Sequence, residues 1–225
     1  MARTGTARAG APSWPELAAS DPMRALEEFA AGWYPAERPP GTGAYPGLPG
    51  PLARFHRLAA ARPRLLGGQN RLLPPHGSGG GAVHVLGEEN QGVFSWELRR
   101  TAEGFGDDPV VWFSVEGEEP VAEQEPLSGF LLQFALYEAA VCSGYGACAS
   151  AVPAAQADAV TGALAPVPLR PFLAPWMPTL LYAGQDLVVS VSASGALFDV
   201  WAGAAHPGAL SALRDLPLAW DRFDG

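Results

Sequence analysis

The side chains best equipped for chemistry in this chain are carboxylates. Glu88 and Glu89 precede Asp107 and Asp108, and two acids held on either side of a glycosidic bond can hydrolyse it. That chemistry needs a fixed separation and one carboxyl with a raised pKa. Spacing supplies neither, and pairs arise easily among 23 acids. Nucleophilic catalysis has thinner support. Ser143-Gly144-Tyr145-Gly146 is no G-x-S-x-G elbow and lacks a strand-turn-helix context. His56, His76, His84 and His206 lack metal-ligand spacing, and Cys142 and Cys148 form no C-x-x-C pair. The glycines from Gly77 to Gly81 precede a strand and no Lys-Ser/Thr follows them, so they read as a loop and not a phosphate cradle. The sequence therefore assigns no catalytic residue, cofactor or metal ligand. Hydrolysis by acids of the 88–108 region stands as the minority alternative.

Charge points elsewhere. The net charge of −9 is local: residues 88–125 hold eleven acids against Arg99 and Arg100. Nine arginines against five acids before them, and three against seven after them, cancel. Nucleic acid needs a basic footprint and is excluded as a partner; no apolar run reaches the ~20 residues of a membrane span. Two cysteines make no disulfide scaffold, and the first residues lack a secretory apolar stretch, so a cytoplasmic location is expected. All 14 basic residues are Arg, a coding bias that points to a bacterial, actinobacterial source.

The elements that would position these groups read as follows. Residues 1–20 form a loose tail. Asp21-Pro22 caps and opens a helix that buries Met23, Leu26, Phe29 and Ala30 and ends at Gly32. Residues 35–51 are a Pro/Gly crossing. Leu52 to Ala61 is a second helix with His56 at the edge of its apolar face. Val83 to Leu86 reads as a central strand, apolar on both faces. Val93 to Leu98 turns Phe94, Trp96 and Leu98 inward; Val110 to Val115 buries Val111, Phe113 and Val115, with Trp112 opposite. Glu116 to Glu125 reads as a solvated acidic loop.

Leu127 to Cys142 is the strongest helix, capped by Ser128 and apolar nearly all round, hence buried. Ala154 to Leu164 is a weaker one. After the crossing from Pro166 to Pro178, strands fall at 180–182, 187–192 and 196–201, with Ser194-Gly195 as a turn. Pro207 opens a last short helix through Leu213. The order predicts an α+β fold with helices packed on an antiparallel-rich mixed sheet: one domain over 21–225, with 143–178 insertion-like.

Three blocks then stand out: Glu88-Glu89-Asn90-Gln91-Gly92 before the Trp96 strand, Asp107-Asp108-Pro109 before Trp112, and Leu127-Ser128-Gly129-Phe130-Leu131-Leu132. In this order they resemble the SUKH superfamily of Smi/Knr-type regulators and bacterial immunity proteins, over residues ~20–225 if the final strands and Trp220 share one sheet. The resemblance implies a non-enzymatic protein-binding module. Bacterial members stand beside toxins, many of them nucleases or deaminases, and neutralise them by occlusion. An immunity protein facing a basic toxin domain is the leading expectation, and a regulatory or scaffold module with an endogenous partner the alternative. Residues expected at the partner surface are Glu88, Glu89, Asn90, Gln91, Asp107, Asp108, Trp112, Glu116, Glu118 and Glu119. The bland reading of the same residues is a solvated face, with Asn90 and Gln91 serving their own turn.

Overall fold

The computed structural model describes residues 13–39, 41–75 and 81–225. Most of the expected tail and of the Gly77–Gly81 loop, with His76, lies outside them. The fold is α+β, and one helix explains its plan. Helix α4 (Leu127–Cys142) has so little polar surface that it must be covered on all sides, and it is: thirteen of its residues are buried, Gln133 and Glu138 among them. Two antiparallel sheets and two helices do the covering.

The first sheet is a five-stranded meander: β1 (Asn70–Leu72), β2 (Val83–Glu89), β3 (Ser95–Arg99), β4 (Val110–Ser114) and β5 (Val121–Pro126). Its inner face brings Trp96 against Phe130 and Phe134 of α4, with ring centroids 5.4 and 6.2 Å apart. Each such fully buried ring or leucine contributes roughly 1.5–3 kcal/mol. The outer face is open, and Val83 and Val85 are nearly half exposed. The expectation of a strand buried on both faces is corrected there.

The second sheet has the order β11-β6-β10-β9-β8-β7, with β6 (Tyr145–Val152), β7 (Ala165–Pro166), β8 (Thr179–Gly184), β9 (Leu187–Ser194), β10 (Leu197–Ala204) and β11 (Arg222–Phe223). The final strands and the neighbourhood of Trp220 thus belong to a sheet separate from the Trp96 strand. Helix α4 lies on β10 at backbone distance, because a Cβ on Gly203 would stand 1.9 Å from the Ala139 carbonyl. The sheet's far face packs on Ala157 and Val160 of α5 (Ala154–Gly162) and on Leu210 and Leu213. Leu213 belongs to α6 (Ser211–Arg214).

Helices α2 (Pro22–Trp33) and α3 (Gly50–Ala61) close the remaining sides of α4. Asp21 caps α2 by accepting from the Arg24 amide at 3.1 Å, and Arg54 of α3 donates to Glu27 of α2 at 2.9 Å. His56 is buried at 5% exposure. Its imidazole pKa falls to about 4 because burial, and then the nearby His84, disfavour the charged form.

Further sequence expectations are corrected. Within the supposed tail, α1 (Trp14–Leu17) packs Trp14 edge-on against Phe29 at 5.2 Å. The acidic segment through Glu125 contains β5, with Glu123 buried. Strand β6, which carries Cys148, is not among the elements read from the sequence. Ser128 does not cap α4: it follows the first helical residue, and its amide and hydroxyl donate to Asp108 at 2.8 and 2.6 Å. Residues 143–178 are built into the core through Val167, Phe172 and Leu173.

Candidate protein-binding surface

A meander places alternate turns at opposite ends of its sheet. The β2–β3 turn, residues 90–94, and the β4–β5 turn, residues 115–120, therefore stand side by side, and the loop 100–109 lies at the other end. This splits the expected surface. Glu88 to Gln91 and Glu116 to Glu119 share one end; Asp107 and Asp108 occupy the other.

At the shared end an aromatic cluster reaches the surface through Trp176, over the buried Phe94 and Phe113. Phe94 and Phe113 meet at 4.9 Å, and Trp176 rests on both at 6.2 and 6.4 Å. Trp176 is 55% exposed; Val93 beside Phe94, and Val121 in register with Phe113, are 47% and 52% exposed. An exposed apolar group of this kind needs a reason, since solitary surface hydrophobes are ordinary but clustered ones mark contact sites. Trp176 sits on the Pro-rich crossing, which is tied both to the first sheet and to α4. Arg170 donates its amide to Glu125 at 2.8 Å and its carbonyl accepts from the Gln133 amide group. Glu123 accepts from the Trp96 indole at 3.0 Å and from the Ala174 amide. Burial pushes the Glu123 carboxyl pKa up, partly offset by those two bonds.

The rim of the cluster is acidic. Glu116, Glu118 and Glu119 are exposed on the β4–β5 turn, which closes through the Glu118 amide on the Val115 carbonyl at 3.1 Å and through Gly117 at φ +83°. No basic side chain among the described residues pairs with them. Glu88 differs, being bridged to Arg71 at 3.0 Å. Glu89 is buried and turned into its own hairpin, accepting from the Gln91 amide at 2.7 Å. The Asn90 amide is held by the Gln69 carbonyl at 3.2 Å, while Gln91 is exposed.

Trp112 lies on the open outer face, half-buried beneath the Arg99 guanidinium at 4.6 Å. Arg99 in turn bridges Glu97 at 3.0 Å. Asp108 is engaged with Ser128 and Asp107 is exposed.

The two acid pairs considered for glycoside hydrolysis are not brought together. Glu88 pairs across from Ser95 at one end of β3, and Asp107 follows Arg99 at its other end. Four residues of strand put about 13 Å between those ends, beyond the ~5–9.5 Å that such carboxylate pairs use. Among the described residues no group of three or more His, Cys, Asp or Glu is placed to hold a metal ion, and no helix is long and apolar enough to cross a membrane.

Sequence reasoning missed Trp176, Val93 and Val121. The available signal was a tryptophan in a proline-rich segment, where a large ring has no periodic reason to be. Comparison with protein-family models, with curated proteins and with solved structures finds no match.

Proposed function

We propose that this chain is a non-enzymatic protein-binding module, most simply an immunity protein, that presses its hairpin end onto a basic partner and occludes it. One observation carries the reading: Trp176, half exposed and in tilted ring contact with Phe94 and Phe113, stands beside a turn bearing the unpaired Glu116, Glu118 and Glu119. A rigid indole is a typical anchor at a protein interface. Unpaired carboxylates beside it steer a basic surface and set its orientation. In an immunity protein the same carboxylates would stand where a nuclease expects phosphates. The resemblance to SUKH proteins, carried by the blocks at 88–92, 107–112 and 127–132, supports the same reading.

The test uses the product of the adjacent upstream gene where that product ends in a basic domain. Co-expression with this chain is expected to rescue growth. Trp176→Ala is expected to speed dissociation at least tenfold. Glu116, Glu118 and Glu119 changed together to Gln are expected to slow association at low salt and to have little effect at high salt. Unchanged binding in both variants overturns the assignment. Loss of binding in the variants without growth rescue in the parent favours the regulatory reading with an endogenous partner.

A further inference from the structure

A second feature lies away from the hairpin end, where the C-terminus of α4 meets α2 and the turn before β1. A cleft of about 370 Å³ opens there, within the range of small-molecule sites. Three aromatic side chains line it: Trp33, Tyr34 and Tyr145. Arg64 enters from the 3-10 turn Pro63–Leu66; it is exposed, and among the described residues no acid pairs with it. Glu138 and Ser143 enter from α4.

The α4 side of the cleft holds a buried acid, whose carboxyl pKa burial pushes up against the opposing pull of the amides bound to it. Glu138 is 2% exposed, and its carboxylate accepts from the backbone amides of Gly68, Gln69 and Asn70 at 2.7, 2.9 and 2.9 Å, and from the Asn70 side chain at 3.0 Å. These donors hold the carboxylate, and among the described residues no basic side chain pairs with it. The last turn of α4 carries no basic residue, so its carbonyl end adds negative potential. A free anion is disfavoured there, and a simple cation is disfavoured by Arg64. Tyr34 feels both charges: burial and Glu138 raise its phenol pKa while Arg64 lowers it. The thiol of Cys142, pushed up to about 11 by burial and by Glu138, is no nucleophile at neutral pH.

We infer that this cleft binds a small zwitterion with an aromatic body, of the free α-amino-acid class. The ligand carboxylate meets Arg64, its ammonium group takes the negative end of α4, and its ring packs among Trp33, Tyr34 and Tyr145. Guanidinium–carboxylate pairing supplies direction as well as strength, and aromatic walls supply the contact area. Nothing in this assignment depends on the protein-binding surface.

Isothermal titration of the full chain with L-phenylalanine, N-acetyl-L-phenylalanine and L-phenylalaninamide tests it. L-Phenylalanine is expected to bind about tenfold more tightly than either blocked form, as loss of one charge-assisted contact implies. Arg64→Gln, an exposed change checked for folding by circular dichroism, is expected to weaken L-phenylalanine about tenfold and to erase its advantage over the amide. Absence of binding at millimolar L-phenylalanine overturns the inference. So does an amide that binds as tightly as the acid, or an Arg64→Gln protein that binds like the parent.

Discussion

Asp108 caps a helix that it does not adjoin: its two carboxylate oxygens take the amide and the hydroxyl of Ser128, twenty residues on, at 2.8 and 2.6 Å. The acidic side chain at the foot of β4 thus satisfies a donor at the positive end of α4, where a negative charge is favoured. Asp108→Ala is expected to lower unfolding stability by about 1–2 kcal/mol, read from urea melts. Binding at the hairpin end is expected to be unchanged. A large binding defect in a folded Asp108→Ala protein would return Asp108 to the partner surface.

Glu138 is expected to be far more sensitive. Gln presents an N–H₂ to amides that need acceptors, so Glu138→Gln leaves at least one buried donor unmet. The expected loss is about 2–4 kcal/mol, measured by chemical denaturation. A variant as stable as the parent would show that the amides of residues 68–70 find water instead.

His56 ties stability to pH. Its folded pKa is near 4 against an ordinary 6.5, so the unfolded chain binds a proton at pH values where the folded chain does not. The stabilisation is complete above about pH 6.5 and drains away as pH falls toward 4, by about 3 kcal/mol in all. His56→Leu is expected to flatten that part of the pH–stability curve. An unaltered curve would refute the assignment.

Ser190 is fully buried in β9, and its hydroxyl has no partner among the described residues. Ser190→Ala removes an unmet polar group from beneath α4 and is expected to stabilise the protein by about 1 kcal/mol, or roughly 2–4 °C in Tm. A fall in Tm would indicate a buried water bound to that hydroxyl.

The sequence made some of this architecture visible and hid the rest for identifiable reasons. The bounds of α4 could be read because an unbroken apolar run is unambiguous, and β3, β4, β9 and β10 because their side chains alternate or their turns are marked. Strand β6 was hidden because Gly146 to Ala151 is a run of Gly, Ala, Cys and Ser, small residues that show no alternation of large and polar side chains. Strand β5 was hidden because a buried glutamate, Glu123, reads as surface until Trp96 is known to meet it. Of the candidate surface, Glu116, Glu118 and Glu119 were legible as local charge. Trp176 was not, since its position beside Phe94 and Phe113 is made by contacts more than sixty residues apart in the chain.

The crossing that carries Trp176 leads into the second sheet yet is fastened to the first through Glu123 and Glu125, and to α4 through Gln133. Whatever grips that indole therefore holds the seam between the two halves shut. The bound protein should breathe less than the free one far from the contact itself, with slower amide exchange along both residues 170–179 and β5.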